Sequence, residues 1–192
     1  MRLRCLGGVI AVLDLAGCGG GGSSADDAVS VAQMNAQISS QSISDPAQLP
    51  VSGRAQYDGY MRTALPTGPE GARVEYLGDM TLAVNFGAGF DQIRGHASGF
   101  EARDATPLSG GLAITNGNIY RDTKTAAAYS FDGDVDGALS NGSARYTIDA
   151  SIEGEFLAPG QTAVRGLWFG DVTGPLGQDI FDGTFAATRR AE

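Results

Sequence analysis

Thiols and imidazoles are almost missing from this chain. Of its 192 residues two are cysteine, Cys5 and Cys18, and one is histidine, His96. Everything beyond residue 18 lacks a thiol, which excludes a disulfide framework and any zinc site built on thiolates. A single histidine excludes an imidazole cluster, and no Ser-His-Asp signature accompanies it. Its neighbours Gly95 and Ala97 place His96 on the exposed side of a strand rather than at a haem. No P-loop, nucleophile elbow or paired-carboxylate spacing is present. The expectation is a protein that is not an enzyme and uses no cofactor. Long apolar runs are absent as well: the stretch from Cys5 to Leu13 falls far short of the roughly 20 residues a membrane-spanning helix needs.

What that short stretch does have is context. Arg2 and Arg4 precede it, and Leu15-Ala16-Gly17-Cys18 follows, leading into Gly19-Gly20-Gly21-Gly22-Ser23-Ser24. A basic start, an apolar segment and small residues ending in cysteine form a removable targeting segment, and the four residues resemble a bacterial lipobox. The resemblance implies cleavage before Cys18 and lipidation of its thiol. Acyl chains each gain about 0.8 kcal/mol per buried CH₂, enough together to hold a soluble domain on a membrane. Asp14 departs from the pattern, since an apolar residue is normal beside the lipobox leucine. Three segments follow: 1–17 as leader, 18–50 as lipidated cysteine and flexible tether, and 51–192 as the folded domain, expected to be a monomer. Within the tether, Ala28 to Ile38 has the spacing of a weak helix.

Charge narrows the partners. The formal net charge is −9, with 13 basic and 22 acidic residues and a single lysine, Lys124. Loss of the leader makes it more negative, because Arg2 and Arg4 leave with only Asp14. Nucleic acid and anionic lipid headgroups are disfavoured on that balance, and a basic partner is favoured.

From residue 51 onward the hydrophobic period is two. Val74, Tyr76, Gly78, Met80, Leu82, Val84 and Phe86 alternate with polar or small residues, which argues a strand with one buried face. Phe181, Gly183, Phe185 and Ala187 repeat the pattern near the end. Comparable runs lie at 52–65, 90–103, 108–121, 126–139, 145–157 and 163–172, and clusters such as Pro66-Thr67-Gly68-Pro69, Asn141-Gly142 and Gly174-Pro175-Leu176-Gly177 separate them. Eight strands with short connections and no helix between them predict an all-β fold, a single eight-stranded antiparallel up-and-down β-barrel, which leaves no exposed edge. Such a barrel is either filled by side chains or holds one small ligand. Many of the 29 glycines, among them 78, 95, 99, 133, 137, 154, 166, 170 and 183, fall inside the strands, where glycine permits bulges and close packing.

Several runs carry a family likeness. Gly53-Arg54-Ala55-Gln56-Tyr57-Asp58-Gly59-Tyr60, Gly78 to Gly87, Ile93-Arg94-Gly95, Phe131 to Gly137 and Gly183-Thr184-Phe185-Ala186-Ala187 resemble the barrel domain of transferrin-binding protein B and related surface lipoproteins. The likeness spans roughly residues 51 to 189. It implies an eight-stranded barrel, a lipidated N-terminus and an outer-membrane location, often facing outward. The chain has no room for that family's handle domain or second lobe, and no motif carries transferrin contacts onto any position here.

Two short motifs invite chemistry. Asp132-Gly133-Asp134-Val135-Asp136-Gly137 matches the first half of a calcium loop, but the position of the closing bidentate glutamate is Ser143. On a strand, Asp132, Asp134 and Asp136 project to one side, opposite Phe131, Val135 and Leu139, which reads as a solvated face. Gly166-Leu167-Trp168 matches the G-x-W of lipocalins, yet lies in the seventh strand rather than the first, so the tryptophan reads as barrel filling. Tyr57, Tyr60, Tyr76, Tyr120, Tyr129 and Tyr146 are candidates either for filling or for a protein interface. The function these observations favour is a non-catalytic lipoprotein of the outer membrane whose barrel binds a protein or small ligand at its loop end. The alternatives are an envelope accessory protein docked on an outer-membrane partner and a lipocalin-like periplasmic carrier. No ligand-binding residue is singled out by sequence.

Overall fold

The computed structural model describes residues 24–122 and 129–191; Cys18, Cys5 and the rest of the leader lie outside them. One helix, α1 (Ser24–Ser39), precedes eight strands: β1 (Arg54–Leu65), β2 (Val74–Asn85), β3 (Ile93–Glu101), β4 (Leu108–Gly117), β5 (Phe131–Ser140), β6 (Arg145–Leu157), β7 (Ala163–Gly174) and β8 (Gly177–Arg189). Each strand pairs antiparallel with the next, and β8 pairs with β1 to close the barrel. The expected up-and-down barrel is therefore the fold. Only β6 keeps its expected bounds: an end of β1, β2 and β7 moves by one or two residues, β5 begins at Phe131 where 126 was expected (126–128 lie outside the described residues), and β3, β4 and β8 differ as well. The chain turns through Asp91 (φ 62°) before β3 and through Asn116 (φ 56°) near the end of β4, while β8 begins four residues before Phe181.

The barrel stands because its inward faces interlock. Trp168, Tyr57, Tyr76, Phe100, Phe131, Phe156 and Phe185 are all fully buried. The rings of Phe131 and Phe156 lie 5.0 Å apart, and those of Trp168 and Phe181 4.6 Å apart in an edge-on arrangement, within the favourable range for aromatic pairs. Room for them comes from inward glycines. A Cβ on Gly154 would stand 2.6 Å from Phe185 Cζ and closer still to Phe131, and one on Gly78 would stand 2.7 Å from the Phe100 ring. Polar atoms carried inward find backbone partners. Tyr57 Oη donates to Gln161 O at 2.8 Å, Thr63 Oγ1 to Asp182 O at 2.8 Å and Trp168 Nε1 to Arg62 O at 3.2 Å. Gly99, at φ +65°, supplies the extra residue where β3 slips one step against β2, and this returns Phe100 to the interior.

The two ends differ. The lower end carries the β1–β2, β3–β4, β5–β6 and β7–β8 connections. The upper end carries the other three, together with the entry into β1 and the exit from β8. At the upper end the buried side chains of Leu49, Phe86 and Ile119 cover the core. Arg121 ties this end together by donating to Pro50 O at 2.6 Å and Phe86 O at 2.7 Å.

The segment leading into the barrel is docked, where composition predicts a flexible tether up to residue 50. Ile38 is 3% exposed and packs with Tyr60, Leu157, Ala163 and Ala186, with Val31 and Met34 alongside. Tyr60 Oη donates to Asn35 Oδ1, and backbone bonds join Ser44 N to Phe156 O and Ala158 N to Ser42 O, both at 2.8 Å. The physical reason is Tyr60 itself. It occupies an outward position of β1, and α1 covers an aromatic that would otherwise face water. No helix among the described residues is long and apolar enough to cross a membrane.

The glycine–aromatic fit makes Gly154→Ala an overpacking change. It should destabilise the barrel by about 1–3 kcal/mol, read as a lower urea midpoint at unchanged slope.

Candidate functional site

With the interior filled by side chains, the surfaces left for recognition are outside. Alternation puts Val164, Trp168 and Val172 of β7 inward, so Leu167 and Phe169 must face out. Leu167 is 55% exposed and Phe169 39%, and Ile180 on β8 is 71% exposed. The register sets them side by side. Leu167 lies opposite Thr184, Phe169 opposite Asp182 and Ile180 opposite Asp171, so Phe169 and Ile180 are diagonal neighbours within reach of one another.

Acidic residues frame this apolar strip. Asp136 pairs across to Asp149, and Asp149 to Asp171, forming one cross-strand row; Asp132 pairs to Glu153, which is opposite Leu167. Directly opposed like charges on a sheet are destabilising, so the row is held together by the rest of the fold. Burial raises the pKa of Glu153, with the Asp132 charge adding to it, and burial raises that of Glu155 against the opposing pull of Arg165. Beside them Tyr120 and Tyr129 meet edge to face at 5.6 Å. Tyr120 Oη donates to Asp132 Oδ2 at 2.6 Å, and that bond, with burial and the nearby carboxylates, pushes its pKa up to about 12. A groove of about 550 Å³ runs from α1 past Tyr60, Tyr129, Glu155 and Arg165 to Leu167.

The residues singled out by sequence are placed as follows. Asp132, Asp134 and Asp136 project outward from β5, as strand geometry requires. They do not converge: no group of three His, Cys, Asp or Glu side chains among the described residues is arranged to hold a metal ion. Asp132 instead accepts from Asn118 N at 3.1 Å as well as from Tyr120, and Asp134 from Asn116 Nδ2 at 2.9 Å. His96 is exposed on β3 between Arg94 and Ser98. Trp168 is barrel filling. Of the six tyrosines, Tyr57, Tyr76 and Tyr146 are in the core and Tyr60 lies beneath α1, leaving Tyr120 and Tyr129 at the surface. Cys18, the lipidation candidate, lies outside the described residues.

No family model and no curated protein matches this chain. The residues that sequence reading missed are Leu167, Phe169 and Ile180. The signal for the first two was present: once Trp168 is assigned inward, its neighbours are committed to the outside, where apolar side chains are anomalous. The exposed apolar side chains of this face thus sit on the sheet, where the sequence suggested the loop end.

Two outcomes follow from the electrostatics. Asp149→Asn breaks the carboxylate row at its centre and should stabilise the domain by about 0.2–1 kcal/mol, with a smaller gain in high salt, as read by urea unfolding. Glu153 binds its proton more tightly folded than unfolded, so stability falls as pH rises from the ordinary 4.5 through its raised folded value. Glu153→Gln should flatten that fall when unfolding is followed across the same window.

Proposed function

We propose that this chain is a lipid-anchored protein of the bacterial outer membrane whose barrel binds a protein partner through the outer face of β5 to β8. The observation that carries the binding role is the strip Leu167, Phe169 and Ile180, exposed on a regular sheet face and framed by Asp132, Asp149, Asp171 and Asp182. An apolar centre with a charged rim is the anatomy of a protein interface, and the acidic rim favours a partner with basic residues at matching positions. The anchoring role rests on the lipobox-like Leu15-Ala16-Gly17-Cys18. The surface location rests on the resemblance to the transferrin-binding protein B barrel.

The filled interior bears on the alternatives. A carrier of the lipocalin type needs an internal cavity, and here the space is taken by Trp168, Phe131, Phe156 and Phe185. The accessory reading, in which the barrel docks on an outer-membrane protein, uses the same outer face and differs in what occupies it.

Fractionation and protease shaving test the proposal together. Cys18→Ala should move the protein from the membrane to the soluble fraction; retention in the membrane removes the anchor. On intact cells, protease should destroy the domain while a periplasmic control survives. Protection until the outer membrane is broken places the domain inside and favours the accessory role. A photo-crosslinker at Phe169 should trap a discrete partner that one at His96 does not.

A further inference from the structure

The acidic total conceals a locally basic groove at the upper end. Arg54, Arg94, Arg189 and Arg190 surround a groove of about 600 Å³ on the outside of β1 to β3, between the β2–β3 turn and the end of β8. Its floor is set by the register: Gln56 pairs with Ala83, and Ala83 with Arg94. Arg190 is held by a bidentate pair with Asp58, at 2.7 and 2.9 Å, and Arg94 is paired with Asp91. Arg54 and Arg189 make no ion pair among the described residues. Arg73, Arg103 and Arg145 lie toward the lower end among Glu70, Glu101, Asp104, Asp171 and Asp179, so the basic character belongs to the groove and its immediate surroundings.

The same end presents apolar side chains to solvent. Phe90, in the β2–β3 turn beside Gly89, is 98% exposed, and Val51 is 78% exposed. Phe86 N donates to Gly53 O at 2.9 Å, which brings the entry into β1 alongside that turn. A small anion seated in the groove would leave both side chains in water. A surface with anionic headgroups above an apolar layer satisfies all of these groups together, because arginines engage phosphates while an aromatic tip enters the interface.

We propose that the upper end of the barrel docks on anionic lipid headgroups, with Arg54 and Arg189 on the phosphates and Phe90 in the interfacial layer. The inference deepens the reading of a membrane-held protein by giving the barrel an orientation. Net charge argued against such a surface, but it counts the whole molecule, whereas contact at a Debye length of about 8 Å samples the groove, where four arginines stand against Asp58 and Asp91.

The test uses the full chain carrying Cys5→Ala and Cys18→Ala, so that no lipid is attached and a single introduced cysteine can be labelled. An environment-sensitive fluorophore is placed at Ala88→Cys in the β2–β3 turn, or at Ser143→Cys in the β5–β6 turn of the lower end. With phosphatidylcholine vesicles containing phosphatidylglycerol, the label at 88 should shift to the blue and meet a lipid-borne quencher, the label at 143 should not, and high salt should reverse both effects. Arg54→Gln and Arg189→Gln should each weaken binding about fivefold, and Phe90→Ser should abolish the shift. All three side chains are exposed, so urea midpoints should stay unchanged and loss of binding is not loss of fold. The proposal is overturned by equal binding to pure phosphatidylcholine, by equal shielding of both labels, or by saturable binding of inorganic phosphate without vesicle binding, which assigns the groove to a soluble anion. Because this chain carries no lipid, its outcome is independent of whether Cys18 is an anchor.

Discussion

The structure depends on the fit of aromatic rings against inward glycines. Eight strands enclose a narrow space, and seven fully buried aromatic side chains must share it. Gly78, Gly154 and Gly166 stand where a Cβ would collide with Phe100, Phe131 or Phe185. Such close packing is what a protein interior requires, and here it is reached by removing side chains at chosen sites, leaving the backbone regular. Strand closure and ring packing support each other: the sheet brings the glycines to the rings, and the rings hold the sheet at its curvature.

From that filling follows where recognition can occur. With its inside occupied by its own side chains, the barrel offers only outer faces and ends. These are unlike one another. The β5 to β8 side is acidic with an apolar strip, the region over Tyr60 is covered by α1, and the upper end carries an arginine-lined groove with Phe90 projecting. A single sheet thus presents three chemistries, because outward positions are free of the packing constraint that fixes inward ones.

Much of this was readable from the amino acids. Alternation located all eight strands, since a period of two survives wherever one face is buried. Glycines at 99 and 154 were recognisable as strand glycines, though their separate jobs, a bulge and a cleared space, depend on which neighbour faces them. The docking of residues 31–49 was not legible: Val31, Met34, Ile38 and Leu49 are scattered among polar residues, and the partners of Ile38 and Leu49, Tyr60 and the barrel end, are remote in sequence. The arginine-lined groove was hidden for the same reason, as Arg54, Arg94 and Arg190 come to line one groove only once β2 sets β3 beside it and β8 closes on β1. The apolar strip lay between: its register was available, but its exposure required knowing that nothing covers β7.

The seam between β1 and β8 adds a matter of timing. It is a ladder of seven residue pairs, from Tyr57–Arg189 to Thr63–Gly183, between strands at opposite ends of the barrel's sequence. The strand that completes the ring is the last of the eight to leave the ribosome. Until it does, β1 has one neighbour fewer, and Phe185 is not yet present to pack against Phe131. A growing chain therefore lacks its closing seam through nearly the whole of its synthesis and locks only after its final strand is delivered.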